Sequence, residues 1–359
     1  MPTMKPQSPP APPADVSTPG DPLAQRDRKA EHITLALDQR MQVAGSYFDA
    51  WELEHAALPE IDYADIDVTT SFLGRELRAP LLISCMTGGT DEATRINRNL
   101  ARAAEETGIA LGVGSQRKAI EDPSLADSFR VRAEAPSVPI LANLGAVQLN
   151  YGFGIDECRA AVEMIDADAL VFHLNPLQEA IQPEGQCDFS GLAEKIGGVV
   201  GQLEVPVIVK EIGCGLSAAT ARRLCEVGVE IFDTAGVGGT SWARIEAARA
   251  GDAAIGELFA DWGEPTPLSI RELAAIPGAT VIGSGGVRNG LDAAKAIAFG
   301  ADLVGLAQRF LEAADESAEA VAARAARLVR ELEIAMFCSG ASDLAALRRA
   351  PLRRRSERI

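Results

Sequence analysis

Long apolar runs are missing from this 359-residue chain: none approaches the ~18 residues that cross a bilayer, and the longest are of strand length. A membrane-spanning protein is therefore not expected. The opening MPTMKPQSPPAPPADVSTPGDP also lacks the apolar core of a secretory signal, which points to the cytoplasm. Histidine is scarce, at three residues, and the six cysteines (85, 158, 187, 214, 225 and 338) form no CxxC pair, so neither a zinc site nor a disulfide framework is expected. Basic residues are outnumbered, 34 Lys and Arg against 51 Asp and Glu, for a formal net charge of -17. That balance excludes nucleic acid as a general partner, because its phosphate backbone would be repelled. A small anionic ligand then needs a local group of cations, which screening over about 8 Å insulates from distant acidic surface.

What is present suits a large α/β core, with 47% hydrophobic residues. Residues 1–24 hold eight of the twenty prolines and have the composition of a disordered arm. From Gln25 the pattern changes. Ile33, Leu37 and Met41 recur at helical spacing, so Arg28, Lys29 and His32 fall on or just before the first turns of a helix. The plain alternative for RDRK is a solvated charge run. The closing RRAPLRRRSERI, residues 348–359, reads as a solvated basic end, leaving residues 25–347 as one domain.

Strands are predicted at 81–85, 110–113, 139–143, 168–173, 206–210, 230–234, 279–283 and 302–306. Helices are predicted between and after them, at 91–107, 123–134, 156–166, 190–203, 217–227, 266–276, 289–299 and 307–314, with a further one at 316–337. This alternation predicts a (β/α)8 barrel with an N-terminal helical extension and an extra C-terminal helix; an open doubly wound sheet is the rival arrangement. The stretch Ala169 to Gly185 organises the reading. Its apolar strand, broken only by His173, runs into a polar loop carrying Asn175, Gln178, Glu179, Gln182 and Glu184. A histidine there is often a satisfied core residue, but strand-then-polar-loop recurs in LLISCMTGG, ALGVGSQR, PILANLG, PVIVKEIGCG, EIFDTAGVGGTS and TVIGSGGVRNG. Seven such loops predict one shared mouth, where barrels carry their chemistry. GSGGVRNG and GLAQRF follow the last two strands, the usual phosphate-binding pair of loops, and AGVGGTS adds to them. GCGLSA is no dinucleotide fingerprint, since its third Gly is missing.

These motifs, with RKAEHI, MTGG, GSQR, ANLGA, HLNPLQEAIQPEG, VKEIGCG and AGVGGTSWARIE, resemble the type 2 isopentenyl-diphosphate isomerases, FMN-dependent (β/α)8 enzymes, from Arg28 to about Leu347. RKAEHI and HLNPLQE are the specific pieces. The resemblance implies FMN on Met86, Thr87 and Gly88, with Ser115, Asn143, Lys210 and Thr240 about its ring and ribityl chain, and Gly285, Gly286, Arg288, Ala307 and Gln308 at its phosphate. It implies isopentenyl diphosphate on Arg28 and Lys29, on Ser115, Gln116 and Arg117, and on His173, Asn175 and Gln178, the last of these being the family's substrate-side glutamine. His173 and Gln178 fall at its catalytic positions, and Glu179 and Glu246 at its Mg²⁺. NADPH is the implied reductant, and a homo-oligomer, tetramer or octamer, the implied assembly. Cys85, with no neighbour to lower its pKa, reads as a packing residue. At one point the chain departs from the pattern: Gln186 and Cys187 follow QPEG where the family has Asp. The alternative function is an FMN-dependent 2-hydroxy-acid oxidase on the same barrel.

Overall fold

A computed structural model of the chain describes residues 31–43 and 45–358. The arm at 1–24, with Arg28 and Lys29, lies outside the described residues. Strands β1 (Trp51–Leu53), β2 (Thr70–Phe72) and β3 (Arg75–Leu77) come first. Then follow β4 (Leu81–Ile83), β5 (Ala110–Gly112), β6 (Ile140–Gly145), β7 (Ala169–Leu174), β8 (Val207–Glu211), β9 (Ile231–Asp233), β10 (Thr280–Ser284) and β11 (Leu303–Leu306), and β12 (Leu352–Arg354) ends the series. Strands β4 to β11 form the closed barrel that the sequence predicts, each parallel to the next, with β11 returning to β4.

Both faces of these strands are buried, which is why they read as near-continuous apolar runs. In β7, Leu170 and Phe172 join the layer under the helices, while Ala169 and Val171 point into the barrel with Leu82, Leu141 and Ile208. The β2–β3 hairpin adds Phe72 and Leu77 to that inner cluster and stoppers the barrel at the end where its strands begin. The opposite end, where the strands finish, is left for the site.

The helix Asp91–Thr107 has its expected bounds, with Thr90 capping Ala93 N–H and Gly108 ending it at φ 67°. The helix predicted at 123–134 is not there. A short helix, Arg117–Glu121, and a 3-10 turn, Pro123–Ser128, replace it, because Phe129 is drawn into the core along with Val131 and Ala135, which on one helix would lie on the opposite face from it. The loop predicted after His173 is instead a helix, Pro176–Ile181, since Pro176 takes the first helical position, where its missing N–H costs nothing. Trp242–Ala250 is also helical, and no apolar stripe announces it because its buried face carries Ala243, Ala247 and Glu246. The basic end is not a free tail. Leu352–Arg354 pairs antiparallel with Trp51–Leu53, Arg354 lies 5.1 Å from the Trp51 ring, and Arg353 and Arg355 meet Glu54 at 2.6 Å and Glu52 at 2.9 Å. Glu52 and Glu54 are what the arginines answer. Among the described residues no helix is long and apolar enough to cross a membrane.

Candidate active site

Strand alternation carries polar side chains up from the barrel core to its mouth. Asn143 stands two residues above Leu141 on β6, His173 above Val171 on β7 and Lys210 above Ile208 on β8, and the register sets His173 beside Lys210 and Lys210 beside Asp233. All three line one cavity of about 460 Å³. Lys210 Nζ lies 3.5 Å from Asp233 Oδ2, both nearly fully buried, and Asp233 accepts in turn from Ser284 Oγ. His173 Nδ1 is 3.0 Å from Asn143 Oδ1, an oxygen that only accepts, so Nδ1 carries the proton. Burial first, and then the positive Lys210, lower the His173 pKa to about 4. The imidazole is therefore neutral at pH 7. Burial likewise pushes the Cys85 thiol up to about 11, which makes it a poor nucleophile, as its surroundings in the sequence suggest.

One buried acid opposes His173. Burial raises Glu211 to about 7, against the backbone N–H groups of Ile212, Gly213 and Cys214 that donate to it. Folded His173 stays neutral down to about 4 while its unfolded counterpart protonates near 6.5, so its contribution to stability is present above 6.5 and is lost as pH falls through 4. For Glu211 the contribution is full below 4.5 and is lost as pH rises through 7. The two slopes cancel between these limits. Ligand-free protein should keep a nearly constant unfolding free energy from pH 7 to 5, whereas Glu211→Gln, which retains the acceptor oxygen, should lose about 2 kcal/mol over that range as the His173 slope is unmasked. Denaturant titrations at both pH values decide it: equal slopes in the two proteins would show Glu211 ionised throughout.

On the β10–β11 side the backbone itself forms the wall. Gly285 and Gly286 have φ of 103° and 70°, and a Cβ on either would come within 2.2 Å of Gly236 O or 2.3 Å of Gly238 O. Only glycine fits where these loops meet. Arg288 reaches the cavity with Asp49 at 2.6 Å and Asp292 at 3.2 Å; burial alone would lower its pKa, and these two carboxylates raise it instead. Ala307 precedes the helix Gln308–Glu316 with no side-chain cap, and both Ala307 and Gln308 line the cavity. Met86, Thr87 and Gly88 approach from the β4 loop, Ser115 from the β5 loop and Thr240 from the β9 loop.

Across the mouth, the β7 helix builds an amide and carboxylate chain. Asn175 Nδ2 donates to Gln178 Oε1 at 2.9 Å and to Glu179 Oε1 at 2.7 Å, and Glu179 Oε2 accepts from Gln186 N–H at 2.7 Å and from Gln182 Nε2. Asn175 Oδ1 is buried with no hydrogen-bond partner among the described residues. Gln178 Nε2 donates to Glu246 Oε1 at 2.6 Å. Glu246, expected at a metal, does not line the cavity. It is fully buried, its Oε2 is held by Arg249 at 2.6 Å, and His32 Nε2 sits 3.0 Å from Oε1, at ion-pair distance though off the hydrogen-bond line. Burial would raise its pKa, but His32, Gln178 and Arg249 bring it down to about 2. Glu246 is thus a fixed anion that orients the Gln178 amide. Gln116 also proves to be elsewhere: fully buried, it donates to Ala161 O at 2.8 Å and accepts from Asn143 N–H at 2.9 Å, so it braces the strand end. Arg117, from the same loop, does reach the cavity, with its Nε on Glu121 at 2.8 Å.

Residues 31–43 roof this mouth. The stretch 31–37 is helical, and Val43 N–H to Gly239 O, Ser241 N–H to Met41 O and Gln42 Nε2 to Thr240 Oγ1 fasten the strap that follows at 2.8, 2.8 and 3.1 Å.

Over residues 184–354 the chain matches the family described as FMN-dependent dehydrogenase. It is 48% identical over 337 residues to an isopentenyl-diphosphate delta-isomerase of Nostoc sp., covering 92% of this chain and 96% of the relative. With those of Stutzerimonas stutzeri and Paracoccus zeaxanthinifaciens it shares 51% over 336 residues and 52% over 331, covering 90% and 89% of this chain and 96% and 95% of theirs. The chain belongs to the isopentenyl-diphosphate delta-isomerase family.

Solved structures that share the fold of this family member include a mandelate oxidase variant with 2-hydroxy-phenylacetamide (TM-score 0.62, 18% identity, 92% of this chain and 98% of that one). A second, with a monooxide FMN adduct, has TM-score 0.59 and 18% identity over 90% of this chain and 92% of that one. Cavity residues that sequence reasoning does not single out include Gln39, Gln42, Gln148 and Trp242. His32 was legible as a residue at the start of the first helix and in RKAEHI, but its pairing with Glu246, more than two hundred positions away, has no local signal.

Proposed function

We propose that this chain is a type 2 isopentenyl-diphosphate isomerase of the cytoplasm, interconverting isopentenyl and dimethylallyl diphosphate in isoprenoid biosynthesis with FMN, Mg²⁺ and NADPH as reductant. The observation that carries the reading is one cavity with two seats for anions. Barrel order puts the glycine wall and Arg288 of β10–β11 opposite Arg117 and the Asn175–Glu179 chain of β5–β7. A flavin mononucleotide has one phosphate and the substrate a diphosphate, so the two seats have an occupant each.

The residues fit FMN. Gly285 and Gly286 line the cavity where their loop closes on Gly236 and Gly238, and a phosphate there would have Arg288, Ala307 and Gln308 beside it. Met86, Thr87, Gly88, Ser115, Asn143, Lys210 and Thr240 would hold the rest. When bound, the flavin supplies the proton-transfer chemistry at carbon. Of the cavity side chains, His173 is neutral and hydrogen-bonded and Cys85 is a high-pKa thiol, while Glu246, outside the cavity, is ion-paired with Arg249. Mg²⁺ fits as well. Mg²⁺ commonly joins one or two carboxylates to substrate phosphates, and Glu179 lines the cavity as such a carboxylate. Glu179 Oε1 accepts a single hydrogen bond and Asn175 Oδ1 accepts none, so both oxygens have lone pairs left for the cation or its water. Arg117, and Arg28 and Lys29 beyond the described residues, would take the remaining diphosphate charge. Glu246 holds the Gln178 amide in one orientation toward the substrate. The same reading includes a homo-oligomer, tetramer or octamer, for which Ile255, Leu258 and Trp262, exposed within eight residues of one another, offer an apolar surface.

The two diphosphates stand at one oxidation level, so NADPH should act as an activator. In an anaerobic assay, product formed per NADPH oxidised should far exceed one, and product made in D₂O should carry deuterium. A ratio held at one, or hydrogen peroxide produced from 2-hydroxy acids in air, would transfer the chain to the oxidoreductases.

A further inference from the structure

Gln186 stands where the chain departs from the family motif, and it does not line the cavity. Three groups of the site nevertheless meet on it. Its Oε1 accepts from Arg117 Nη1 at 3.1 Å and from the cavity residue Gln148 at 2.8 Å, and its main-chain N–H donates to Glu179 Oε2 at 2.7 Å. The turn is seated hard against its target: a Cβ at Gly185 would lie 1.7 Å from Glu179 O, and Cys187 Sγ donates to that oxygen at 3.3 Å. We propose that Gln186 is a positioning residue that sets the spacing of Arg117 and Glu179, and so matches the cation and the carboxylate of the substrate seat to one Mg²⁺-bound diphosphate. The proposal rests on the isomerase reading.

The chemistry of the amide matters as much as its place. Arg117 already meets one carboxylate, Glu121 at 2.8 Å, so a neutral oxygen at 186 fixes the guanidinium without adding a second negative charge, which a carboxylate there would add. Beyond Gln186 the loop has anchors of its own, Asn150 Nδ2 to Asp188 O at 2.8 Å and Asp188 N–H to Tyr151 Oη at 3.1 Å. A side-chain change at 186 therefore leaves the loop tethered.

The test is calorimetric titration of the FMN-loaded protein with inorganic pyrophosphate, with and without Mg²⁺, beside steady-state kinetics. Gln186→Ala should weaken pyrophosphate binding and raise KM roughly tenfold, the loss of one hydrogen bond to a charged group, and raise the Mg²⁺ needed for half-maximal binding. Its kcat, FMN content and Tm should stay at the wild-type values. Gln186→Glu keeps the acceptor oxygen, so its deficit should shrink as salt screens the added charge, while that of Gln186→Ala should not. Wild-type binding and Mg²⁺ requirement in both variants would overturn the proposal and leave the isomerase reading standing. No pyrophosphate binding by the wild-type protein would overturn both.

Discussion

Deletion of residues 1–32 is expected to abolish measurable isomerisation, while deletion of residues 1–22 leaves kcat/KM within about twofold, since the composition of that stretch predicts a disordered arm outside the domain. The longer cut removes Arg28 and Lys29, and two charged hydrogen bonds at about 1.5–3 kcal/mol each correspond to roughly 10²- to 10⁴-fold in diphosphate affinity. It also removes His32, which lies against Glu246 and edge-on to Trp242 at 5.3 Å, and Glu31, paired with Arg249 at 3.3 Å. Gln178 would then depend on a Glu246 balanced by Arg249 alone. FMN content should be unchanged in both deletions, because none of the residues assigned to FMN, from Met86 to Gln308, lies in the deleted stretch. Kinetics and flavin content of the two purified proteins provide the check. Equal loss in both would make the proline-rich arm part of the working enzyme.

Glu179→Gln is expected to reduce activity by roughly 10²-fold at low Mg²⁺, about 2–3 kcal/mol for loss of a charged partner, with partial recovery at high Mg²⁺. The structure adds a cost that the residue type alone does not show. Every neighbour of this carboxylate is a donor: Asn175 Nδ2 on one oxygen, Gln182 Nε2 and Gln186 N–H on the other. An amide has one oxygen, which will keep the doubly bonded side and turn its NH₂ toward Asn175 Nδ2. That hydrogen bond is lost, and Asn175 retains only Gln178 as acceptor, so Gln178 should loosen too. KM and kcat should both suffer, with FMN retained. Full activity at low Mg²⁺ would confine Glu179 to a structural role.

Much of this was legible in the chain. The eight barrel strands all appear in order within one or two residues of their expected places, since a strand buried on both faces must be apolar throughout and a mouth of loops must be polar. Most cavity residues were also legible, because a strand end fixes the residue that follows it. Met86, His173, Lys210 and Gly285 could hardly be anywhere else. What failed locally did so for stated reasons: Pro176 starts a helix as readily as it ends one, and the arginines of the basic end found Glu52 and Glu54 some three hundred positions away.

Sequence by itself thus determined the barrel and its open end, through short-range patterns of polarity and glycine. Only the tertiary structure decided what each polar group is free to do. Gln116 and Arg117 are neighbours in the chain, yet one is spent on the main chain of β6 and the other faces the cavity. Glu179 and Glu246 look alike as letters, yet one keeps lone pairs at the mouth and the other is locked among His32, Gln178 and Arg249. A side chain's hydrogen-bonding capacity is finite, and whether it is already used depends on partners brought close by folding, not on neighbours in sequence.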